Sequence, residues 1–161
     1  DDQGRLWAWG DNYNGPLGDG STLNRTRPVQ VDLTPLNGSK VVIVSARHNH
    51  SLALDNQGRL WAWGNNQYGQ LGDGSTTRRL SPVQVDLTSL NGSTVVAVSA
   101  GGFYSLVLDD QGRLWAWGRN DRGQLGDGSD TNRLSPVQVD MSMMKNSKVK
   151  ETGMKKHFLF R

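Results

Sequence analysis

The stretch Gly-Arg-Leu-Trp-Ala-Trp-Gly, at residues 4–10, occurs three times in this chain without a change. The other copies are at residues 58–64 and 112–118, so consecutive copies lie 54 residues apart. All six tryptophans of the 161-residue chain fall within these copies. A fixed period of this length is typical of repeat architectures, in which each repeat forms one supersecondary unit. The sequence therefore predicts three repeats, at residues 1–54, 55–108 and 109–161.

Each repeat holds four short segments with the composition of β-strands. In the repeated stretch, alternation of side chains puts Trp7 and Trp9 on one face of a strand and Leu6 and Ala8 on the other. Bulk on both faces indicates a strand buried between neighbouring sheets. No segment is long and periodic enough to predict a helix. Four short strands per repeat predict an all-β fold of about three four-stranded antiparallel β-propeller blades.

A glycine-rich loop follows the tryptophan strand in every repeat. It lacks the lysine and the following helix of a phosphate-binding loop. We therefore expect its aspartates to cap local backbone amides and its glycines to form tight turns. The predicted structural core of the repeats consists of these glycines and the tryptophans, namely Gly18, Gly20, Gly72, Gly74, Gly126, Gly128, Trp7, Trp9, Trp61, Trp63, Trp115 and Trp117.

Three motifs carry a family resemblance. They are Trp-Gly-x-Asn-x-x-Gly-Gln-Leu-Gly-Asp-Gly at residues 63–74 and 117–128, Pro-Val-Gln-Val, and Val-Ser-Ala-Gly-Gly-x-x-Ser-Leu. They resemble the regulator of chromosome condensation repeat, and the shorter form Leu-Trp-Ala-Trp-Gly-x-Asn resembles bacterial members more than animal ones. The resemblance covers the chain to about residue 145. Residues 148–160 follow the pattern only with a one-residue deletion and end in a degraded strand, Phe158-Leu159-Phe160.

The resemblance implies a seven-bladed ring, whereas about three blades are present. The pattern also opens inside a blade, because no Ser-Leu-Ala-Leu strand precedes the first tryptophan strand. Two interpretations stay open. Either the sequence is a fragment of a longer propeller, or several copies of the chain form a homo-oligomer. In that homo-oligomer the last strand of one chain completes the first blade of the next.

The charge of the chain is unevenly distributed. The net charge is +3, but residues 145–161 carry +5 and residues 1–144 carry −2. We expect nucleic-acid binding only through this basic segment, for which a solvated end is the simpler interpretation. No run approaches the roughly 18 apolar residues of a membrane span, so no membrane partner is expected. Cysteine is absent, and the compartment (secreted, cell-surface or cytoplasmic) stays open.

No residue pattern points to catalysis. The three histidines do not fall in a motif with a serine and an orienting acid. His48 and His50 flank Asn49 without a cysteine or nearby glutamate that would complete a zinc site. Arg119 stands where Asp11 and Asn65 stand in the other copies, which argues against a repeated metal ligand. We predict no enzyme activity, no metal and no cofactor.

Differences between the copies separate surface from scaffold. The candidate partner-binding residues lie in the variable loops: Tyr13, Asn14, Arg47, His48, Gln67, Tyr68, Phe103, Tyr104, Arg119 and Arg122. Tyrosine and arginine are hot-spot types, and neutral variation on solvated loops is the alternative. The sequence predicts a non-enzymatic module that binds a protein partner, whose identity stays open. The alternatives are a self-assembling scaffold and, from the family resemblance, guanine-nucleotide exchange or chromatin docking.

Overall fold

The computed structural model describes residue 1 and residues 3–144. Within them the chain forms ten strands and two 3₁₀ turns, and no α-helix. The strands are β1 (Trp7–Gly10), β2 (Arg25–Gln30), β3 (Val41–Arg47), β4 (His50–Asp55), β5 (Leu60–Gly64), β6 (Arg79–Gln84), β7 (Val95–Ala100), β8 (Tyr104–Asp109), β9 (Leu114–Gly118) and β10 (Arg133–Gln138). The 3₁₀ turns are Thr34–Leu36 and Thr88–Leu90.

The strands form one pair and two four-stranded antiparallel sheets. The pair β1-β2 is called blade 1 here, the sheet β3-β4-β5-β6 blade 2, and the sheet β7-β8-β9-β10 blade 3. The predicted four-stranded antiparallel blades are confirmed. Each complete blade combines the end of one sequence repeat with the start of the next, since blade 2 runs from residue 41 to residue 84. The division into repeats at residues 1–54, 55–108 and 109–161 stays a prediction about sequence units.

The hairpin between β4 and β5 forms where the polar stretch Asp-Asn-Gln-Gly predicts a turn. The carboxylate of Asp55 accepts hydrogen bonds from the backbone N–H groups of Gln57 and Arg59, both at 2.9 Å. Gly58 adopts a φ of 78°, in the left-handed region that glycine tolerates best. An aspartate and a glycine three residues apart are therefore enough to reverse the chain here.

The proline of the Pro-Val-Gln-Val motif lies on an outer strand in blades 1 and 2. The sequence suits a proline either at the first residue of a strand or on a sheet edge, and Pro28 and Pro82 are the fourth residues of β2 and β6. Both strands are the outer strands of their sheets, with a neighbour on one side only. A proline on such an edge removes no ladder hydrogen bond, because its nitrogen faces away from the partner strand.

We expect the repeated tryptophans to pack between blades, and Trp63 and Trp117 each bond to a neighbouring blade. The indole N–H of Trp63 donates to the carbonyl of Pro16 in blade 1 at 2.8 Å, and that of Trp117 donates to the carbonyl of Gln70 in blade 2 at 2.9 Å. Trp9 differs from this expectation. Its side chain is 63 % exposed, against 2 % for the equivalent Trp63, because no described strand covers that side of blade 1.

Gly72 allows two blades to approach closely. A Cβ atom at this position would lie 2.6 Å from Nε1 of Trp117, and the backbone φ is 70°. Gly18 stands in the same relation to Trp63, again at 2.6 Å. Both the positive φ and the contact require a residue without a side chain. The glycine-rich loop is thus a structural part of the junction between blades.

We expect Gly72→Ala to destabilise the chain by about 3 kcal/mol, because the methyl group must displace a buried indole in addition to straining the backbone. Gly74→Ala is the matched control, since Gly74 has a φ of 77° and open space where its Cβ would lie. Backbone strain alone should cost the control about 1 kcal/mol. Urea denaturation measures both values, and equal losses would contradict the close contact.

The described residues contain no helix with the length and apolar character needed to cross a bilayer. The predictions made for residues 145–161, namely a degraded last strand and a basic segment, lie outside the described residues.

Candidate interaction surface on the loop face

The variable loops gather at one end of the blades. Because neighbouring strands in each blade are antiparallel, the connections that follow the odd-numbered strands leave the sheets at the same end. This end, called the loop face, consists of residues 11–24, 48–49, 65–78, 101–103 and 119–132. Nδ2 of Asn65 donates to Oδ1 of Asn14 at 3.3 Å, so loops of neighbouring blades touch. All ten candidate residues lie on this face or at the strand ends beside it.

Three of the candidates converge into one group, called the rim cluster. Tyr68 belongs to blade 2, whereas Phe103 and Arg119 belong to blade 3. The two rings meet edge to face, with centroids 5.4 Å apart and an interplanar angle of 72°. The guanidinium carbon of Arg119 lies 5.1 Å from the centroid of Tyr68 and 5.8 Å from that of Phe103. These distances are within the range of cation–π attraction.

Asp121 fixes the orientation of the Arg119 guanidinium. Nε and Nη2 of Arg119 donate to the two carboxylate oxygens of Asp121 at 2.8 and 2.6 Å. A two-point contact of this kind sets the plane of the guanidinium as well as its position. The rim cluster therefore presents two aromatic rings and a planar cation in a defined arrangement, with the arginine side chain 29 % exposed.

A buried asparagine holds the loop that carries Tyr68. The side chain of Asn66 donates to Oδ1 of Asp73 at 3.1 Å and to the carbonyl of Ser75 at 3.0 Å, and it accepts from the N–H of Leu71 at 3.0 Å. Asn66 is not among the core or partner-binding residues predicted from the sequence. The sequence nevertheless contains a signal for it, because asparagine occupies the same position in all three copies, at Asn12, Asn66 and Asn120.

The aspartates of the glycine-rich loops are structural, as the sequence predicts. Oδ1 of Asp73 accepts hydrogen bonds from the N–H and the hydroxyl of Ser75, and Oδ2 forms an ion pair with Arg79 at 2.8 Å. Burial raises the pKa of Asp73, but the bonds from Ser75 and Arg79 outweigh it and leave the pKa below its ordinary value. A carboxylate held in its ionised form by bonds to both oxygens stabilises the loop and is poorly suited to proton transfer.

The junction between blades 1 and 2 carries different side chains on the same scaffold. The equivalents of Tyr68 and Arg119 there are Asn14 and Asn65, which hydrogen-bond to each other, and the equivalent of Phe103 is Asn49. The two junctions thus share a backbone and differ in chemistry. A polar trio occupies one junction, and an aromatic and cationic trio occupies the other.

The remaining candidates are spread over the loop face. Tyr13 is exposed, and its carbonyl accepts a bond from Arg78 at 3.3 Å. Tyr104 is half-buried and packs against the apolar cluster around Leu106 and Leu125, so it contributes to the blade as well as to the surface. Four further candidates are exposed or partly exposed and lie outside the rim cluster: Arg47, His48, Gln67 and Arg122.

His50 is a junction residue whose role the sequence did not reveal. Its Nε2 lies 2.9 Å from the hydroxyl of Ser105, which donates in turn to the carbonyl of Gln70 at 2.8 Å. Burial lowers the pKa of His50 to about 4, and the charge of His48 acts in the same direction. The imidazole is therefore neutral at pH 7 and links blades 2 and 3. Among the described residues, no group of three acidic or histidine side chains is placed to hold a metal ion.

Known proteins share this architecture. A sequence model of the regulator of chromosome condensation (RCC1) repeat matches residues 3–54, 57–108 and 111–151. The human E3 ubiquitin-protein ligase HERC2 is 36 % identical over 138 residues, which is 86 % of this chain and 3 % of that protein. The RCC2 homolog of Danio rerio is 35 % identical over 137 residues, which is 84 % of this chain and 27 % of that protein.

A solved structure shares the fold as well. The structure of Prp20p from Saccharomyces cerevisiae matches with a TM-score of 0.70 and 26 % identity, over 83 % of this chain and 34 % of that one. The chain thus spans about a third or less of the proteins that it matches here. These relatives come from animals and a fungus, so the resemblance to bacterial members stays a prediction. With three matched repeats and propeller blades, the chain belongs to the regulator of chromosome condensation repeat family.

Proposed function

We propose that this chain is a non-enzymatic module that binds a protein partner through its loop face. The observation that carries the proposal is the rim cluster of Tyr68, Phe103 and Arg119. Tyrosine and arginine dominate the energetics of protein interfaces, and aromatic residues with arginine are enriched in interface cores. The cluster spans two blades, so its geometry depends on the propeller fold and not on one flexible loop.

Preorganisation supports the same proposal. The buried side chain of Asn66 forms hydrogen bonds that fix the loop of Tyr68, and Asp121 forms an ion pair that fixes the guanidinium of Arg119. Side chains that are already ordered lose little conformational entropy when a partner binds. A cation held against two rings fits a partner surface that combines an acidic group with an apolar side chain.

The test converts one junction into the other. The triple variant Tyr68→Asn, Phe103→Asn and Arg119→Asn gives the junction between blades 2 and 3 the side chains found at the junction between blades 1 and 2. We expect its melting temperature to stay within about 3 °C of the parent, because the scaffold contacts are untouched. Partners captured by the parent chain and identified by mass spectrometry should bind the variant at least about tenfold more weakly.

The matched control substitutes the other junction but leaves Asn65, because Asn65 accepts a hydrogen bond from Gln70, which in turn accepts one from the backbone N–H of Tyr68. Asn14→Ala and Asn49→Ala leave the rim cluster intact, so the identified partner should bind this variant as it binds the parent. Equal binding by parent and rim variant, measured with the purified partner, would show that the interface lies elsewhere.

A second candidate is self-assembly, and the exposed indoles of blade 1 favour it. Trp7 and Trp9 occupy the same positions of the repeat as the buried Trp61 and Trp63, but they are 40 % and 63 % exposed. Exposed apolar surface of this kind marks association sites. Sedimentation of the 17.7 kDa chain tests this candidate, because a monomer at all concentrations would remove it.

Exchange activity and chromatin docking are the third candidate. Prp20p, which shares the fold, is described with its binding properties to Gsp1p and histones. The chain spans about a third of Prp20p, so a surface formed by more blades than these would be incomplete. Nucleotide release from a Ran-type GTPase measures the exchange activity directly, and binding to purified histones measures the docking role.

A further inference from the structure

One histidine lies fully buried in the junction between blades 2 and 3. It is His50, the first residue of β4. The equivalent first residue of β8 is Tyr104, which is half-buried. Histidine is the side chain whose ordinary pKa lies closest to physiological pH. A buried histidine that links two blades is therefore a point where proton uptake acts on the fold.

The hydrogen bonds of the junction determine which nitrogen of the His50 ring carries the hydrogen. The hydroxyl of Ser105 donates its one hydrogen to the carbonyl of Gln70 at 2.8 Å. Towards Nε2 of His50, 2.9 Å away, this hydroxyl can only accept, so Nε2 carries the hydrogen and Nδ1 does not. Nδ1 is buried and has no hydrogen-bond partner among the described residues. A second proton would thus create a buried cation with a donor that no described residue accepts.

The titratable groups on the elements packed around His50 do not offset such a charge. They are Arg47 on β3, His48 before β4, Asp55 at the far end of β4, Tyr104 and Asp109 on β8, Tyr68, Asp73 and Arg78 on the loop after β5, and Arg119 and Asp121 after β9. Each carboxylate in this set is paired with an arginine. Asp11 belongs to blade 1, on the side of β4 that Ser51 faces. Burial lowers the pKa of His50, and the charge of His48 adds to this effect.

Gln70 connects the buried histidine to the rim cluster. Its carbonyl accepts the bond from Ser105 and a second bond from the indole N–H of Trp117 at 2.9 Å. Its side-chain Oε1 accepts from the backbone N–H of Tyr68 at 3.0 Å. The residue that closes the junction therefore also positions the tyrosine of the rim cluster. Separation of the two blades would move Tyr68 away from Phe103 and Arg119, which belong to blade 3.

We propose that proton uptake by His50 opens the junction between blades 2 and 3 and in this way regulates the rim cluster. While the ring is neutral, the bonds from His50 to Ser105 and from Ser105 to Gln70 close the junction. Once Nδ1 is protonated, only water can accept its hydrogen, so the state in which the blades part becomes more populated. The regulatory role rests on the proposed function of the rim cluster, whereas the opening itself is measured without a partner.

The pH range of the opening follows from two pKa values of His50. Its ordinary pKa of 6.5 applies when the junction is open, and the pKa is lowered to about 4 when the junction is closed. Between these values the open state binds more protons than the closed state, so opening becomes easier as the pH falls from 6.5 towards 4. We expect the equilibrium constant for opening to rise about 20-fold between pH 7 and pH 5.

Hydrogen exchange at two indole N–H groups of the full chain tests the opening. The indole of Trp117 donates across this junction to Gln70, whereas that of Trp63 donates across the junction between blades 1 and 2 to Pro16. Protection is the exchange rate in the unfolded chain divided by the rate in the folded chain at the same pH, both measured by NMR. From pH 7 to pH 5, the protection of Trp117 should fall about 20-fold and that of Trp63 should change by less than about threefold.

Two histidine variants assign the effect to His50. His50→Gln keeps an N–H donor for Ser105 and takes up no proton, so the protection of Trp117 should agree at the two pH values within about threefold. His48→Gln is the matched control, because His48 is exposed and lies two residues away, and the fall should persist in it. Thermal melts verify that both variants fold. An NMR titration of the parent ring gives an independent measurement, in which His50 should carry its hydrogen on Nε2 and titrate below about pH 5.

Three results would overturn the proposal. An equal fall at Trp63 would show that acid unfolds the whole chain, and a fall that persists in a folded His50→Gln variant would place the proton on another group. A His50 ring that titrates near its ordinary pKa of 6.5 would show that burial does not suppress its charge.

A partner identified for the loop face tests the regulatory role. At saturation it should raise the protection of Trp117 at pH 5 at least about tenfold, because it binds only the closed junction. A bound partner that leaves this protection unchanged would overturn the link to the rim cluster. If the loop face binds no protein, the proposed function fails, and the exchange measurements still decide whether the junction opens in acid.

Discussion

Replacing Asp55 by alanine should destabilise the chain by about 3–5 kcal/mol, because it leaves a partly buried arginine and several donors without their acceptor. The Asp55 side chain is fully buried and forms an ion pair with Arg59 at 2.8 Å. It also accepts from the indole N–H of Trp61 at 2.9 Å and from the hydroxyl of Ser39 at 2.8 Å. Urea denaturation followed by circular dichroism measures the loss.

The chain contains a matched control for this prediction, because the first repeat has an equivalent ion pair. Asp1, Arg5 and Trp7 repeat the arrangement of Asp55, Arg59 and Trp61, but the Asp1 side chain is 27 % exposed. Asp1→Ala should cost less than about 1 kcal/mol, as exposed ion pairs usually do. A loss at Asp55 as small as that at Asp1 would show that burial does not determine the value of this interaction.

The pKa of Asp55 points in the same direction. Burial raises it, but the hydrogen bonds from Trp61, from the backbone and side chain of Arg59 and from Ser39 outweigh the burial and lower the pKa to about 2. Because the folded-state pKa is below the unfolded one, the ionised carboxylate stabilises the folded chain at neutral pH. That contribution declines as the pH falls from about 4 towards 2.

The sequence predicts the repeat, the hairpins and the strand content because these are local or periodic properties. The turn ending at Gly58 needs only a few neighbouring residues, so it could be located from the order of polar and apolar residues alone. The bond between Asp55 and the Trp61 indole could not, since it depends on how the hairpin and its neighbouring strands pack. The position of Pro28 stayed open between the start of a strand and a sheet edge for a related reason, because the sequence does not say which strand is the outer one.

The candidate site was predictable as a set of positions but not as a cluster. Differences between copies single out Tyr68, Phe103 and Arg119, yet they stand far apart in the chain and meet only across a blade junction. The 54-residue period contained part of the missing information. Once Asn14 and Asn65 are known to touch, the same period brings Tyr68 and Arg119 together.

Trp117→Ala should lower the free energy of unfolding by about 4 kcal/mol, whereas Trp9→Ala should lower it by less than about 1 kcal/mol. The two residues occupy the same position in two copies of the seven-residue stretch. Trp117 is fully buried and bonds to Gln70 of the next blade, while Trp9 is 63 % exposed. Urea denaturation at several protein concentrations measures both. A large loss for Trp9→Ala that is independent of concentration would contradict the exposed setting of blade 1. A loss that grows with concentration would instead indicate that another copy covers the indole, because only a bimolecular contact makes stability depend on concentration.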